Sequence, residues 1–490
     1  MPAILIDKDI PTATGVTFNN RYVSVITVVV ALGGVLFGFD LSIISGTVHY
    51  FRQYFSLDAV ATGWSVGCIN LGAALGALAA GRLADRLGRR RTLLLCAVLF
   101  AVSGAGTGWS TLYPLFILFR MMSGVAIGAA ALACPVYIAE IAPASLRGRL
   151  VTFYQLAITS GILIAYLSNY LLLNTGVNNW RWMFTSQSFP ALFFFFGLLF
   201  ISESPRWLIR KHRTPEALRV LTRIGGPAYA ATESAAITAS FALETKADWR
   251  ELFRGRTRYI LVIGILIAIF SQAGGQNSLL SYAPEIFKQA GVAENSAFLQ
   301  SVLVGVINLL LTFVAIGAID RTGRKRLLLY GAALLALDAA FLAGAFYRHL
   351  SGMFILSFVL AFIGIYAATL GPVTWVILSE IFPNRVRGYA MSMATLSLWV
   401  ANFFTTALFP VMQLRLGLPA TFSIHAAICL IYFFFVRTRV PETKNRSLEQ
   451  IESQLTGSLT PPSGSITPQS GSLTPQSGSL TPRSGSRWNK

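Results

Sequence analysis

Two ionisable side chains stand inside long apolar stretches of this chain. Asp40 interrupts the apolar run over 22–46, and Arg120 interrupts the run over 113–137. A charged residue at the centre of a membrane-spanning helix costs about 2.5–3.5 kcal/mol on insertion scales, so such residues are rare and tend to be functional. Burial disfavours the charge of a carboxylate, whereas a nearby arginine favours it. A carboxyl group between these influences can bind a proton on one side of a membrane and release it on the other. We therefore expect Asp40 and Arg120 to act in proton coupling, with a static structural ion pair as the alternative.

Neutral polar side chains form a second group within the apolar runs. An amide offers both hydrogen-bond donors and acceptors, which suit the hydroxyl groups of a polyhydroxylated solute, and an aromatic ring can cover an apolar face of such a solute. Gly274 and Gly275 lie among these residues and could let their helix break where it lines a cavity. For each amide the alternative is a hydrogen bond that only joins two helices, and for the tryptophan it is packing. The candidate substrate-binding residues are Gln155, Gln272, Gln276, Asn277, Asn308, Trp375 and Asn402.

The apolar runs that carry these residues are long enough to cross a bilayer, which takes about 20 residues of helix. Their spacing predicts an all-α membrane protein with about twelve spans in two halves of six. Spans 1–6 are predicted over 22–46, 60–80, 92–110, 113–137, 150–173 and 183–201. Spans 7–12 are predicted over 258–283, 299–319, 327–346, 353–378, 390–412 and 419–437.

Two charged motifs occur twice, half the chain apart. Residues 85–91 (DRLGRRR) return as 320–326 (DRTGRKR), and residues 140–148 (EIAPASLRG) return as 380–388 (EIFPNRVRG). A duplicated bundle with charged turns at matching positions is typical of transporters. We expect ion pairs among these residues to join the two halves in one conformation and to break in the other. The alternative is that the arginines only fix the topology. The predicted gate residues are Asp85, Arg86, Arg89, Glu140, Arg147, Glu203, Arg206, Asp320, Arg321, Arg324, Glu380 and Arg387.

Composition separates this chain from soluble proteins, because 54% of its residues are hydrophobic, 12% are charged and the mean hydropathy is +0.62. A net charge of +19 would indicate nucleic-acid binding in a soluble protein. Here the basic residues cluster in the turns after spans 2, 4, 8 and 10, as in cytoplasmic loops. We therefore expect a multi-pass protein of the cell membrane, embedded in the lipid bilayer, with both termini cytoplasmic and no nucleic-acid partner.

Residue types that catalyse reactions or bind metals are scattered. The histidines His49, His212, His349 and His425 lack metal-ligand spacing, and the four cysteines form no CxxC pair. The sequence contains no nucleotide-binding loop and no nucleophile–base constellation. We therefore expect no enzyme, no metal and no cofactor, with the proton as the coupling ion.

Outside the spans the chain is polar. Within the linker, 215–224 and 231–243 look helical, and from about residue 457 the tail repeats Ser-Gly-Ser-Leu-Thr-Pro-Gln, a composition that cannot bury a core and should be disordered. The predicted parts are a cytoplasmic N-terminus (1–21), a six-helix half (22–201), a cytoplasmic helical linker (202–257), a second half (258–437) and a cytoplasmic tail (438–490).

Five motifs make residues 22–450 resemble the sugar porter family of the major facilitator superfamily. They are 81–90 (GRLADRLGRR), 203–208 (ESPRWL), 272–284, 371–375 and 441–444 (PETK). Residues 36–48 of span 1 are most similar in pattern to bacterial proton-coupled pentose and hexose symporters. The resemblance implies the major facilitator fold, a sugar site midway between the halves, and alternating access by rocking.

The resemblance also implies roles for single residues. Asp40 matches the aspartate that carries the proton, and Arg120 matches its partner; uniporters generally have a neutral residue at the first position. Gln155, Gln272, Asn277 and Asn308 match sugar-contacting positions, and Trp375 matches an aromatic residue that covers the sugar. The chain departs from the family pattern at Ser271, Gln276, Ser281 and Leu398. These departures leave a polyol, cyclitol or other polyhydroxylated solute open beside a monosaccharide.

The expected function is secondary active transport of a sugar, by proton symport with alternating access, in a protein that works as a monomer. A facilitative sugar or polyol uniporter is the first alternative, and Asp40 argues against it. Drug efflux by proton antiport would leave the motifs of spans 6, 7 and 12 unexplained. A nutrient sensor built on a transporter fold, signalling through the tail repeats, is an alternative of a different class.

Overall fold

The fold is known from a computed structural model, which describes residues 18–242, 249–383 and 385–444. The predicted tail repeats and most of the predicted N-terminal segment lie outside the described residues. Within them the chain is helical, and eleven segments are long and apolar enough to cross a membrane.

The helices follow the predicted order of spans. Short helices cover Val48–Tyr54, Pro205–Arg210 and Trp249–Phe253, the last of these a 3-10 helix, and Thr214–Ala242 forms a longer helix that is kinked at Gly225 and Gly226. Spans 1–6 are formed by Asn20–Ile43, Ala59–Leu87, Arg89–Trp109, Tyr113–Ile141, Arg147–Leu172, and the pair Asn179–Ser186 and Ser188–Phe200. Spans 7–10 are formed by the pair Gly255–Ala273 and Gln276–Gln289, by Glu294–Thr322, by Arg324–Tyr347, and by the pair Gly352–Ala368 and Leu370–Ile381.

The last helical segment, Arg387–Arg439, contains two spans. Its 53 residues would extend about 80 Å at 1.5 Å per residue, more than twice the roughly 30 Å of the hydrocarbon core. Gly417 divides it with a φ of +79°, a conformation that L side chains rarely adopt, and Pro419 follows. The segments before and after Gly417 are spans 11 and 12, so the prediction of twelve spans is confirmed.

Spans 1–6 and spans 7–12 form two halves that meet along two pairs of helices. Span 2 packs against span 11, and span 5 packs against span 8. We call the side that carries the turns after spans 2, 4, 8 and 10 the basic face, and the opposite side the far face. Between the cavity described below and the far face, the halves also touch through hydrogen bonds from Tyr166 Oη to the Leu280 carbonyl at 2.7 Å and from Tyr50 Oη to Glu294 at 3.2 Å.

Glycines let spans 2 and 4 approach backbone to backbone. A β-carbon on Gly128 would lie 1.9 Å from the Ala73 carbonyl oxygen, and one on Gly72 would lie 2.2 Å from the Met121 carbonyl oxygen. Small residues at helix interfaces are how membrane helices gain packing contacts when lipid offers no hydrophobic driving force. This close contact fixes the position of span 4, which carries Arg120.

Gly128→Val should therefore destabilise the protein by about 1–3 kcal/mol or more, because the added atoms have no room between the two backbones. The unfolding midpoint of purified protein in detergent measures the effect. Gly344→Val is the matched control, since no described heavy atom lies within 4 Å of its β-carbon position. Equal midpoints for the two variants would contradict the described packing.

Candidate functional site

Asp40 and Arg120 form a buried ion pair inside the first half. Asp40 Oδ1 accepts a hydrogen bond from Arg120 Nη1 at 2.7 Å, and neither side chain is more than 1% exposed. Asp40 Oδ2 accepts hydrogen bonds from Ser123 Oγ and, at 3.0 Å, from Gln187 Nε2. Spans 1, 4 and 6 thus converge on one carboxylate, which satisfies the rule that a buried charge must be paired and hydrogen-bonded.

Gln187 is a member of this site that sequence reasoning missed. It lies where span 6 changes from one helix to the next, and its amide nitrogen also donates to Ser123 Oγ at 3.1 Å. The only sequence signal is a short polar stretch, 185–188, before the run of phenylalanines in span 6. Such a stretch does not reveal which span it faces.

Arg120 makes fewer hydrogen bonds than its five donors allow. Its Nε and Nη2 have no hydrogen-bond partner among the described residues, and its guanidinium carbon lies 5.7 Å from the centre of the Phe184 ring. Arg120 also lines a small cavity of about 10 Å³, which is room for about one water molecule. One side of the ion pair therefore faces space and polar side chains instead of a closed apolar core.

A larger cavity of about 110 Å³ lies between the two halves. It is lined by every candidate substrate-binding residue from the sequence, namely Gln155, Gln272, Gln276, Asn277, Asn308, Trp375 and Asn402. The fold thus gathers amides from spans 5, 7, 8 and 11 at one place, with a tryptophan from span 10.

Span 7 contributes three of these amides because it is broken at their level. Gly275 has a φ of +94° and begins the second helix of the span. Across the break, Asn277 Nδ2 donates to Gln272 Oε1 at 2.6 Å, and Gln272 Nε2 lies 3.4 Å from Tyr366 Oη. The amides are held by one another and retain further donors and acceptors that a hydroxylated solute could use.

Asn402 joins the two halves as well as lining the cavity. Its Nδ2 donates to Asn70 Oδ1 of span 2 at 2.8 Å, and Asn70 Nδ2 donates to Thr406 Oγ1 at 3.3 Å. Asn70 was not among the sequence candidates, although it stands as a single amide in a Gly- and Ala-rich span. Asn402 therefore does both: it joins two helices by a hydrogen bond, and it lines the cavity.

The small cavity lies beside the ion pair and shares part of its lining with the larger cavity. Its lining includes Arg120 and Asn70, and it shares Leu41, Asn277, Leu280 and Asn402 with the larger cavity. A change in the position of Arg120 would therefore reach residues that line the larger cavity.

Aromatic and hydroxyl side chains complete the lining, and most of them were absent from the sequence candidates. Phe37 and Trp399 stand with ring centres 5.7 Å apart, so two aromatic rings from opposite halves meet beside the amides. Rings next to hydrogen-bonding groups suit a ligand with an apolar face and a polar edge. The missed lining residues with such groups are Phe37, Thr159, Thr312, Tyr366 and Trp399.

At the basic face four gate residues of the first half, Asp85, Arg89, Glu140 and Glu203, form one cluster. Arg89 Nε and Nη2 donate to the two oxygens of Glu140, each at 3.0 Å, and Arg89 Nη1 donates to Asp85 at 3.2 Å. Glu203 accepts hydrogen bonds from the backbone N–H groups of Arg89 and Arg90, at 2.9 and 3.1 Å. Burial raises the pKa of the Glu203 carboxyl above its ordinary value, although these backbone donors oppose the change.

The second half repeats this cluster. Arg324 Nη2 lies 3.2 Å from Glu380, and Glu442 accepts the backbone N–H of Arg324 at 3.0 Å, in the place that Glu203 holds in the first half. Glu442 was not a gate candidate, although its motif, 441–444, carried the family resemblance. The sequence repeat thus corresponds to a repeat of contacts.

The remaining gate candidates also lie at the basic face. Arg387 donates to the Phe382 carbonyl, at 3.3 and 3.2 Å from its two nitrogens, and the Arg206 guanidinium lies 5.4 Å from the Phe241 ring centre. Arg86, Arg147 and Arg321 are exposed, and the side chain of Asp320 lies outside the described part. The pairs Arg89–Glu140 and Arg324–Glu380 each join helices of the same half.

Sequence and structure comparisons agree on the kind of protein to which this arrangement belongs. The family described as "Sugar (and other) transporter" matches residues 26–455. The arabinose-proton symporter of Bacillus subtilis is 38% identical over 438 residues, which cover 88% of this chain and 94% of the relative. The D-xylose-proton symporter of Escherichia coli is 37% identical over 474 residues, with coverage of 89% and 96%.

Among solved structures, the xylose transporter of Escherichia coli in a partially occluded inward-open conformation superimposes with a TM-score of 0.79. That comparison has 34% sequence identity and covers 87% of this chain and 100% of the other. The protein therefore belongs to the sugar transporter family of multi-pass, all-helical membrane proteins.

The ion pair should make Asp40 and Arg120 energetically dependent on each other. Arg120→Met alone leaves a buried carboxylate without its cation and should cost about 3–5 kcal/mol of stability. Combining it with Asp40→Asn should recover a large part of that loss, because no uncompensated charge remains. Unfolding midpoints of the wild type, both single variants and the double variant in detergent measure this coupling. Additive losses would contradict a direct pair.

Proposed function

We propose that this protein is a proton–monosaccharide symporter. The observation that carries the proposal is the buried Asp40–Arg120 pair beside a small cavity that shares four lining residues with the larger, amide-lined cavity. The names of the arabinose-proton and xylose-proton relatives support the same substrate class and the same coupling ion. No cofactor is needed besides the proton.

Protonation of Asp40 would act through charge. The ionised carboxylate compensates the Arg120 guanidinium, which is always charged. When a proton binds, the Coulombic attraction in this low-dielectric site is lost, and the guanidinium shifts toward other acceptors. Asn277 and Asn402, whose amide oxygens are acceptors, line the small cavity that Arg120 also lines.

Sugar binding would then favour proton binding, and the reverse, because coupling between two sites is reciprocal. A sugar that draws the amides of Asn277 and Asn402 toward its hydroxyls changes the acceptors open to Arg120. The doubly loaded and the empty protein would be the forms that change conformation, which is the condition for symport.

We further propose that the basic face is cytoplasmic, that both termini lie in the cytoplasm of a cell-membrane protein, and that the monomer is the working unit. The excess of arginine and lysine on that face supports this orientation. Contacts between the halves on the far-face side of the cavity, such as Tyr50–Glu294, suit a conformation that opens inward. The predicted gate would form between the halves when the protein opens outward.

Asp40→Asn should abolish uphill accumulation of sugar and spare sugar exchange, because an amide keeps hydrogen-bonding capacity and cannot take up a proton. Uptake of D-xylose and L-arabinose by proteoliposomes, with and without an imposed pH gradient, measures both activities. Asp58→Asn, at an exposed helix N-cap where asparagine caps as well as aspartate, should accumulate sugar like the wild type.

Two results would reject the proposal at different levels. If Asp40→Asn vesicles still concentrate sugar under a pH gradient, Asp40 is not the proton carrier. If wild-type vesicles transport sugar and the external medium does not become alkaline on sugar addition, the protein is a facilitative uniporter.

Gln272→Ala should weaken sugar binding roughly tenfold or more, because it removes an amide from the cavity and leaves Asn277 Nδ2 without its 2.6 Å partner. Quenching of tryptophan fluorescence on titration with sugar measures the dissociation constant. Gln300→Ala, at a span 8 amide outside the cavity lining, is the control and should bind like the wild type. Equal dissociation constants for the two variants would show that Gln272 does not bind the sugar.

A further inference from the structure

Span 7 is broken at the level of its substrate-facing amides, and the break has to be stabilised. The first helix ends at Ala273, and Gly275 turns the chain through a left-handed conformation into the second helix. The last four carbonyl oxygens of a helix have no partner within it. In a membrane, such a break persists only where neighbouring groups bind the freed backbone atoms.

His425 of span 12 supplies one such group. Its Nδ1 lies 3.2 Å from the Ala273 carbonyl oxygen. Because a carbonyl oxygen can only accept, Nδ1 carries the hydrogen and donates it. The imidazole is buried, and its Nε2 has no hydrogen-bond partner in the part of the chain that is described. Among the described residues, His425 therefore makes its hydrogen bond to one carbonyl group of span 7.

The imidazole ring also packs directly against the break. A β-carbon on Gly275 would lie 2.8 Å from the ring, and one on Gly274 would lie 3.2 Å from Cys429 Sγ. Further along the same face of span 12, Tyr432 stacks on Phe270 with ring centres 5.5 Å apart. Span 12 thus supports span 7 from Phe270 to Gly275.

The internal repeat places an equivalent contact in the first half. Asp40 and Gly275 are 235 residues apart, the same interval that separates Asp85 from Asp320. In the first half, Gln187 of the last span donates to Asp40 of the first span at 3.0 Å. In the second half, His425 of the last span donates to the first span beside Gly275. The residue at this position of the last span thus binds the proton site in the first half and the broken helix in the second half.

We propose that His425 is a positioning residue for the substrate. By binding the Ala273 carbonyl and filling the space beside the break, it fixes the direction of the second helix of span 7, and with it the places of Gln276 and Asn277 in the cavity. This inference rests on the proposed function, because sugar affinity reports it. The Asp40–Arg120 pair that binds the proton lies in the other half.

Two substitutions of His425 test the role of its Nδ1–H group. His425→Phe keeps a ring and removes the donor, whereas His425→Asn places an amide nitrogen the same number of bonds from Cα as Nδ1. His425→Phe should raise the KM and the dissociation constant for D-xylose or L-arabinose roughly three- to tenfold and leave kcat within about twofold. His425→Asn should restore most of the affinity. Hydrogen–deuterium exchange over residues 273–277 should be faster in His425→Phe than in His425→Asn.

Tyr432→Phe is the matched control, because the Tyr432 hydroxyl lies on the same face of span 12 and has no hydrogen-bond partner among the described residues. Its affinity should equal that of the wild type. If His425→Phe does not fold, His425→Leu and His425→Asn, which are similar in size and shape, provide the same comparison.

The outcomes separate the two proposals. Unchanged affinity in His425→Phe or His425→Leu, or a fall in kcat with unchanged KM, would overturn the role of His425 and leave the proposed function intact. A wild-type protein that binds no pentose or hexose would overturn the proposed function itself, whereas faster exchange at the break in His425→Phe would still report the contact with span 7.

Discussion

A carboxylate and a guanidinium buried together in an apolar bundle constrain every helix around them. Neither charge could be left alone at that depth without a penalty of several kcal/mol. Span 4 therefore supplies both Arg120 and Ser123, and span 6 supplies Gln187 at the point where its helix is interrupted. The glycine contacts between spans 2 and 4 hold the cation at the right depth. The polar residues of spans 4 and 6 at this depth are thus explained by one pair of charges.

Two arginine pairs in the same half differ in a way that matters for function. Arg89 donates hydrogen bonds to both oxygens of Glu140, a bidentate arrangement that fixes the geometry of the pair. Arg120 gives Asp40 a single hydrogen bond and leaves two nitrogens without acceptors among the described residues. A pair with unused donors beside a cavity can rearrange at lower cost, when its carboxylate is neutralised, than a pair that must give up several hydrogen bonds.

The sequence predicted the helices and the cavity well because both follow from local signals. Apolar runs defined the spans, and amides such as Gln272 inside those runs could only be buried or line a cavity. Gln187, Asn70 and Tyr366 were missed because their roles depend on which distant helix they face, which periodicity does not encode. The gate residues were located at one face, but pairing within each half, as in Arg89–Glu140, follows from tertiary packing.

The twin carboxylates Glu203 and Glu442 have a mechanical consequence. Each lies beyond the last span of its half and binds backbone amides at the start of the third span of that half. Outer helices that are clamped in this way cannot slide past their neighbours, so each set of six behaves as a stiff block. Relative motion is then expected along the seam where the two blocks meet.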